Sequence, residues 1–144
     1  APNVVFVDEF SGTGGTIKRQ IGWAKSNTTN PFQPYLCLHA SMSVAQSLFE
    51  PEFVDFYSHL TLGRGISDNP SISNTKNAID TMVELEKILG QAPNKKPAPS
   101  LGYKKSETLY SSQQGNTPNN VFPIFWWKSR ARGGKRKTLL SRLA

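Results

Sequence analysis

The chain has 144 residues, 37% of them hydrophobic, and a formal net charge of +7. That length suits one domain or part of one, with enough apolar residues for a real core. No apolar run approaches the roughly 20 residues that cross a bilayer, no basic-then-apolar leader pattern is seen, and a lone cysteine, Cys37, cannot form an internal disulfide. The expectation is therefore a cytoplasmic protein with no membrane partner.

The first apolar run, "VVFV" (4–7), is short and unbroken. A strand covered on both faces of a parallel sheet reads this way, so residues 4–8 are expected in the sheet interior. "SGTGG" breaks the run, and "TIKRQIGWAKS" predicts a helix over 16–25, with Ile17 and Ile21 on one face and Ala24 beside them. "PYLCLHA" (34–40) predicts a second strand. "SVAQSLF" (43–49) opens a second helix with Ser43 as its cap. "EFVDFYSHLTL" (52–62) reads as a third strand. Strand–helix–strand–helix–strand points to an α/β fold with a mainly parallel sheet flanked by helices.

The clearest helix spans 73–90, with Ala78, Met82, Leu85 and Leu89 on one face and Ile79 and Val83 beside them. Ser73 or Asn74 is the expected cap and Gly90 the expected stop. Residues 91–100 hold three prolines and two lysines, which marks an exposed loop. "ETLYSS" (107–112) and "VFPIFWW" (121–127) read as strands, with the turn formers "GNTPNN" (115–120) between them. No internal repeat is seen. Because the first strand begins at residue 4, the chain is expected to be the C-terminal part of a longer α/β domain.

The positive charge is not spread evenly. Residues 128–144, "KSRARGGKRKTLLSRLA", carry seven basic residues and no acid, and the remaining 1–127 carry ten basic residues and ten acids. The expected organisation is a domain over 1–127 and a basic C-terminal tail over 128–144. The tail reads either as a solvated segment or as an arm that meets nucleic-acid phosphates. It offers no stacking platform for single strands, since no aromatic residue follows Trp127.

Chemistry concentrates at the end of the first strand. "VVFV" delivers Asp8 and Glu9 to the C-terminal edge of the sheet, where ligands of open α/β sheets sit. Next, Ser11, Gly12, Thr13, Gly14, Gly15 and Thr16 lead into a helix. Free N–H groups and the helix dipole favour an anion there, phosphate above all. The two acids suit hydroxyl groups or a hard cation such as Mg²⁺. A sugar phosphate satisfies both halves.

This order of parts resembles the phosphoribosyl pyrophosphate signature of type I phosphoribosyltransferases, which runs four apolar residues, two acids, three variable residues and T-G-x-T. Here it reads "VVFV-DE-FSG-TGGT". Downstream, "SLGYKKSETLY", "NTPNNVFPIFWW" and "LLSRL" resemble the divergent bacterial phosphoribosyltransferase-like domains of antiviral conflict systems. The resemblance implies that Asp8 and Glu9 hold the ribose hydroxyls and act in catalysis, while Ser11–Thr16 form the cofactor-binding loop and the backbone of Thr13–Thr16 binds the 5′-phosphate. It also implies that Mg²⁺ arrives bound through the substrate, and that pyrophosphate is displaced from C1 by a base or nucleotide. In such enzymes a C-terminal hood selects the acceptor, which makes Asn116, Asn119 and Asn120 hood candidates. Two departures stand out. Purine-salvage members carry an acid where this chain has Gly12. The pyrophosphate loop and mobile catalytic loop lie upstream of the motif, where this sequence has only Ala1, Pro2 and Asn3.

Two further readings stay open. One is a module of the same fold that senses a nucleotide without turning it over. The other is an S-adenosylmethionine-dependent methyltransferase, since "FSGTGG" is similar to that class's first motif, although "PYLCLHASMS" ends without the acid the class would want. His39, His59 and Cys37 read as structural, and their spacing supports no metal site made of protein side chains alone. Arg64 in "GRGIS" is a further phosphate candidate. A homodimer is an expectation that nothing in the sequence fixes.

Overall fold

The computed structural model describes residues 1–92, 96–112 and 115–142. The chain divides into two compact units, 1–63 and 64–144, and each has its own core.

The first unit runs β1 (Asn3–Ser11), α1 (Gly15–Asn27), β2 (Gln33–Met42), α2 (Ser43–Gln46) and β3 (Asp55–Leu62). The strands form a parallel sheet in the order β1-β2-β3, the α/β arrangement that the alternating pattern predicts. Ile17 and Ile21, one helical turn apart, are both fully buried and join Leu36, Leu38, Ala45, Phe49 and Phe53 in one cluster. Phe6, Phe32 and Phe56 close its margin. The rings of Phe6 and Phe53 meet edge to face at 5.7 Å, as do Phe49 and Phe56 at 5.4 Å. Such pairs add about 1 kcal/mol each beyond the area they bury. α2 is shorter than expected, and its cap position is Met42, not Ser43, with no side-chain capping bond.

The interior placement of residues 4–8 is overturned. β1 lies at the edge of this sheet, and Val5 and Val7 are 59% and 76% exposed. The core cluster lies on the Phe6–Leu36–Leu38 side. Because strand residues alternate between faces, Val5 and Val7 fall on the other side, with Tyr57, which is also exposed. An unbroken apolar run signals two covered faces, but this unit covers only one.

The second unit contains α3 (Thr75–Glu86) and two single-turn 3₁₀ helices, Tyr103–Lys105 and Pro123–Phe125. The Asn74 side chain caps α3 by accepting the Asn77 N–H at 3.0 Å. The helix ends at Glu86, short of Gly90. Ala78, Ile79 and Met82 pack against Ile66, Leu101 and Phe122. Leu85, expected on that face, is 52% exposed, and Glu86 takes the buried place. The two expected strands, 107–112 and 121–127, reduce to one isolated bridge, Thr108↔Val121. Pro123 lacks the N–H a ladder needs and instead opens the second 3₁₀ turn. At Gly102, φ is +80° and a β-carbon would collide with the Asn120 carbonyl, so only glycine fits.

Residues 128–142 are not a free solvated tail. Arg136 Nη1 donates to the carbonyls of Ile124 and Trp127 at 2.7 and 3.1 Å. Leu140 N–H donates to Phe125, and the Thr117 hydroxyl donates to the Ser141 carbonyl. The Arg142 guanidinium lies 4.7 Å from the Trp126 ring centroid. The basic character expected of a tail therefore sits on packed backbone.

Candidate functional site

The loop after β1 takes the form its glycines dictate. Ser11, Gly12 and Gly14 are buried and Thr13 half-buried, whereas Gly15 and Thr16 are exposed. Gly14 caps α1 in the left-handed region, with φ +75°. No side chain caps the N-terminus of this 13-residue helix, and its first turn holds no acid. The exposed first turn thus presents backbone donors at the positive end of the helix dipole. Arg19 Nη2 reaches Thr16 Oγ1 at 3.4 Å, placing a guanidinium beside the loop. Sequence reasoning missed Arg19. Its signal was the i, i+3 spacing from Thr16 to Arg19, which puts both on the same side of the first turns.

The two acids stand just before this loop but do not point the same way. Asp8 falls on the Phe6 side of β1 and Glu9 on the Val7 side. Asp8 Oδ1 accepts the Glu9 N–H at 2.7 Å. Asp8 is half-buried and Glu9 is exposed, so neither carries the desolvation cost that a buried strand end would impose. Among the described residues neither forms an ion pair.

The open face of the sheet adds groups that the sequence reading assigned to structural roles. Val7, Cys37 and Tyr57 are register partners across the three strands. Two residues further along each strand, Glu9, His39 and His59 occupy the same face. The two imidazoles stack with centroids 5.6 Å apart, and Tyr57 Oη lies 3.5 Å from His59 Nδ1. Asp8, Glu9, Cys37, His39, Tyr57 and His59 line one hollow, with Val7 and Leu38. The histidines are exposed and Cys37 is half-buried, so none of the three is a core residue. Among the described residues, no three His, Cys, Asp or Glu side chains form a group able to hold a metal.

The remaining candidates lie in the second unit. Arg64 is committed to Asp68: its Nη2 and Nε bond the carboxylate at 2.8 and 3.1 Å. Those bonds hold the Asp68 carboxyl below its usual range. Asn120 is buried, and its amide donates to Ser106 Oγ while its carbonyl accepts from the same hydroxyl. Its side-chain N–H and its backbone carbonyl are therefore committed to the fold. Asn116 and Asn119 are exposed. Sequence reasoning passed over Glu107, whose buried carboxylate accepts the N–H groups of Ile66 and Ser67 and the Ser67 hydroxyl.

A parallel sheet with a glycine loop entering a helix and an acid pair at one strand end defines an α/β class of domain. Within that class the family is resolved: the PRTase-CE model matches residues 1–142, and the chain belongs to that family of phosphoribosyltransferase-type domains. That membership sets aside the methyltransferase alternative. No curated protein and no solved structure matches the chain. No helix among the described residues is long and apolar enough to cross a membrane.

Proposed function

We propose that the first unit binds phosphoribosyl pyrophosphate, or a related ribose phosphate, at the end of β1 and presents C1 of the ribose for transfer to a base or nucleotide. The observation that carries this reading is the uncapped N-terminus of α1, entered through left-handed Gly14 and flanked by Arg19, directly after Asp8 and Glu9. In this reading the 5′-phosphate accepts from the N–H groups of Gly15 and Thr16 and from the Thr13 and Thr16 hydroxyls. Arg19 offsets part of its charge. Asp8 and Glu9 accept hydrogen bonds from ribose hydroxyls, and as carboxylates they favour the positive charge that develops on the ring as pyrophosphate departs. Both acids are hard oxygen donors with no ion pair among the described residues, so they fit Mg²⁺ held by the substrate's own oxygens. When bound, Mg²⁺ would neutralise charge on the departing pyrophosphate.

Gly15 provides the test. A β-carbon there would meet nothing within 4 Å, so Gly15→Val puts bulk where the phosphate would approach, with circular dichroism checking that the variant is folded. Calorimetric titration of the intact protein with phosphoribosyl pyrophosphate and Mg²⁺ should show wild-type binding and at least tenfold weaker binding by the variant. Equal affinity would remove the loop as the phosphate site. Binding by the wild type with no release of pyrophosphate, across a panel of bases and nucleotides, would instead identify a sensing module.

A further inference from the structure

Three cations elsewhere in the second unit are paired along its own chain: Arg64 with Asp68, Lys76 with Asp80 and Lys87 with Glu84. The C-terminal basic segment differs. No acid occurs between Lys128 and Arg142, and among the described residues none of its lysines or arginines forms an ion pair. Its backbone is nonetheless fixed. Ser129 and Lys135 form an antiparallel bridge, closed by Arg130 N–H to the Gly134 carbonyl at 3.1 Å and Arg136 N–H to the Lys128 carbonyl at 2.8 Å.

This hairpin is stitched to the end of α3. Gly90 N–H donates to Ser129, Ala131 N–H donates to Ile88, and the Trp127 indole donates to Gly90. Arg136 turns inward onto two carbonyls, whereas Lys128, Arg130, Arg132, Lys135 and Lys137 are all exposed. Five cations are thus held on an ordered ribbon with no counter-charge of its own.

We propose that this hairpin is a docking surface for the phosphate backbone of a nucleic-acid duplex. Charge complementarity supplies the attraction, because a polyanion provides the counter-charges that the ribbon lacks. The ordered backbone lowers the entropy lost on binding. A duplex is favoured over a single strand because no aromatic side chain follows Trp127 to stack on unpaired bases. The contact is with phosphates, so it positions the protein without reading sequence.

The test titrates the intact protein against a labelled 24-base-pair DNA duplex over a range of salt. If each of the five exposed cations meets one phosphate, log K falls against log salt with a slope of about −4.5, roughly a 500-fold loss between 50 and 200 mM. The triple variant Arg130→Gln, Arg132→Gln, Lys135→Gln keeps Arg136 and the backbone bonds, and should reduce the slope to about −1.8, roughly a 12-fold loss over the same range. The control Lys87→Gln, Lys104→Gln, Lys105→Gln removes the same charge from elsewhere on the unit and should leave the slope unchanged. Circular dichroism confirms that each variant is folded. The proposal is overturned if the wild type fails to bind duplex at 50 mM salt, or if both triple variants lose affinity equally. Tighter binding to single strands, or to vesicles rich in phosphatidylserine, would also overturn it.

Discussion

A β-carbon on Gly14 would lie 3.0 Å from Leu48 Cδ1, so the loop after β1 is held against the turn that follows α2. Gly14 also has φ +75°, a conformation that costs a side-chain-bearing residue about 1–2 kcal/mol. Gly14→Ala should therefore destabilise the protein by roughly that amount, the strain dominating because the Leu48 side chain can shift. Gly15→Ala, in open space one residue on, should stay within about 0.5 kcal/mol of wild type. Chemical denaturation of the two variants distinguishes these positions. An unchanged midpoint for Gly14→Ala would contradict the assigned geometry.

Glu86 gives the protein a pH signature. It is buried at the end of α3, and desolvation raises its pKa above the ordinary glutamate range, partly opposed by hydrogen bonds from Ser100 and Leu101. With a raised folded pKa, the native state holds its proton more tightly than the unfolded chain does. That contribution is fully present below the unfolded pKa and is lost as pH rises through the folded one. Glu86→Gln retains an acceptor oxygen for Leu101 and cannot ionise. The variant's stability relative to wild type should therefore rise as pH climbs from the ordinary glutamate range through the raised folded pKa, and then level off. A constant difference across that range would show that Glu86 titrates as an ordinary exposed acid.

The fold of the first unit was legible because its signals are local. Ile17 and Ile21 mark the buried side of α1 by spacing alone, and "SGTGG" marks the only break that could turn a strand into that helix. The placement of β1 was not legible, because "VVFV" reports that the residues are apolar, not how many faces are covered. In the second unit the signals depend on distant partners. Glu86 is tolerated inside only because Ser100 and Leu101 donate to it, and residues 121–127 fail as a strand once Pro123 removes a donor. At the candidate site, the loop and the acids were readable because class, order and spacing occur within thirteen residues. The stacking of His39 on His59 was not, since it depends on the register between β2 and β3, twenty residues apart.

The acid pair carries the central claim. Replacing Asp8 with Asn and Glu9 with Gln keeps their shapes and removes their charge, and neither residue is buried, so the fold should survive. Ribose hydroxyls would lose two charge-assisted acceptors, a loss of about 2–4 kcal/mol in binding. The decisive measurement is calorimetric titration of the intact wild-type and doubly substituted protein with phosphoribosyl pyrophosphate in the presence of Mg²⁺. The wild type should bind measurably and the variant roughly 30-fold to 1,000-fold more weakly, the same interval expressed as affinity. Equal affinities, or a folded wild type that does not bind, would contradict it.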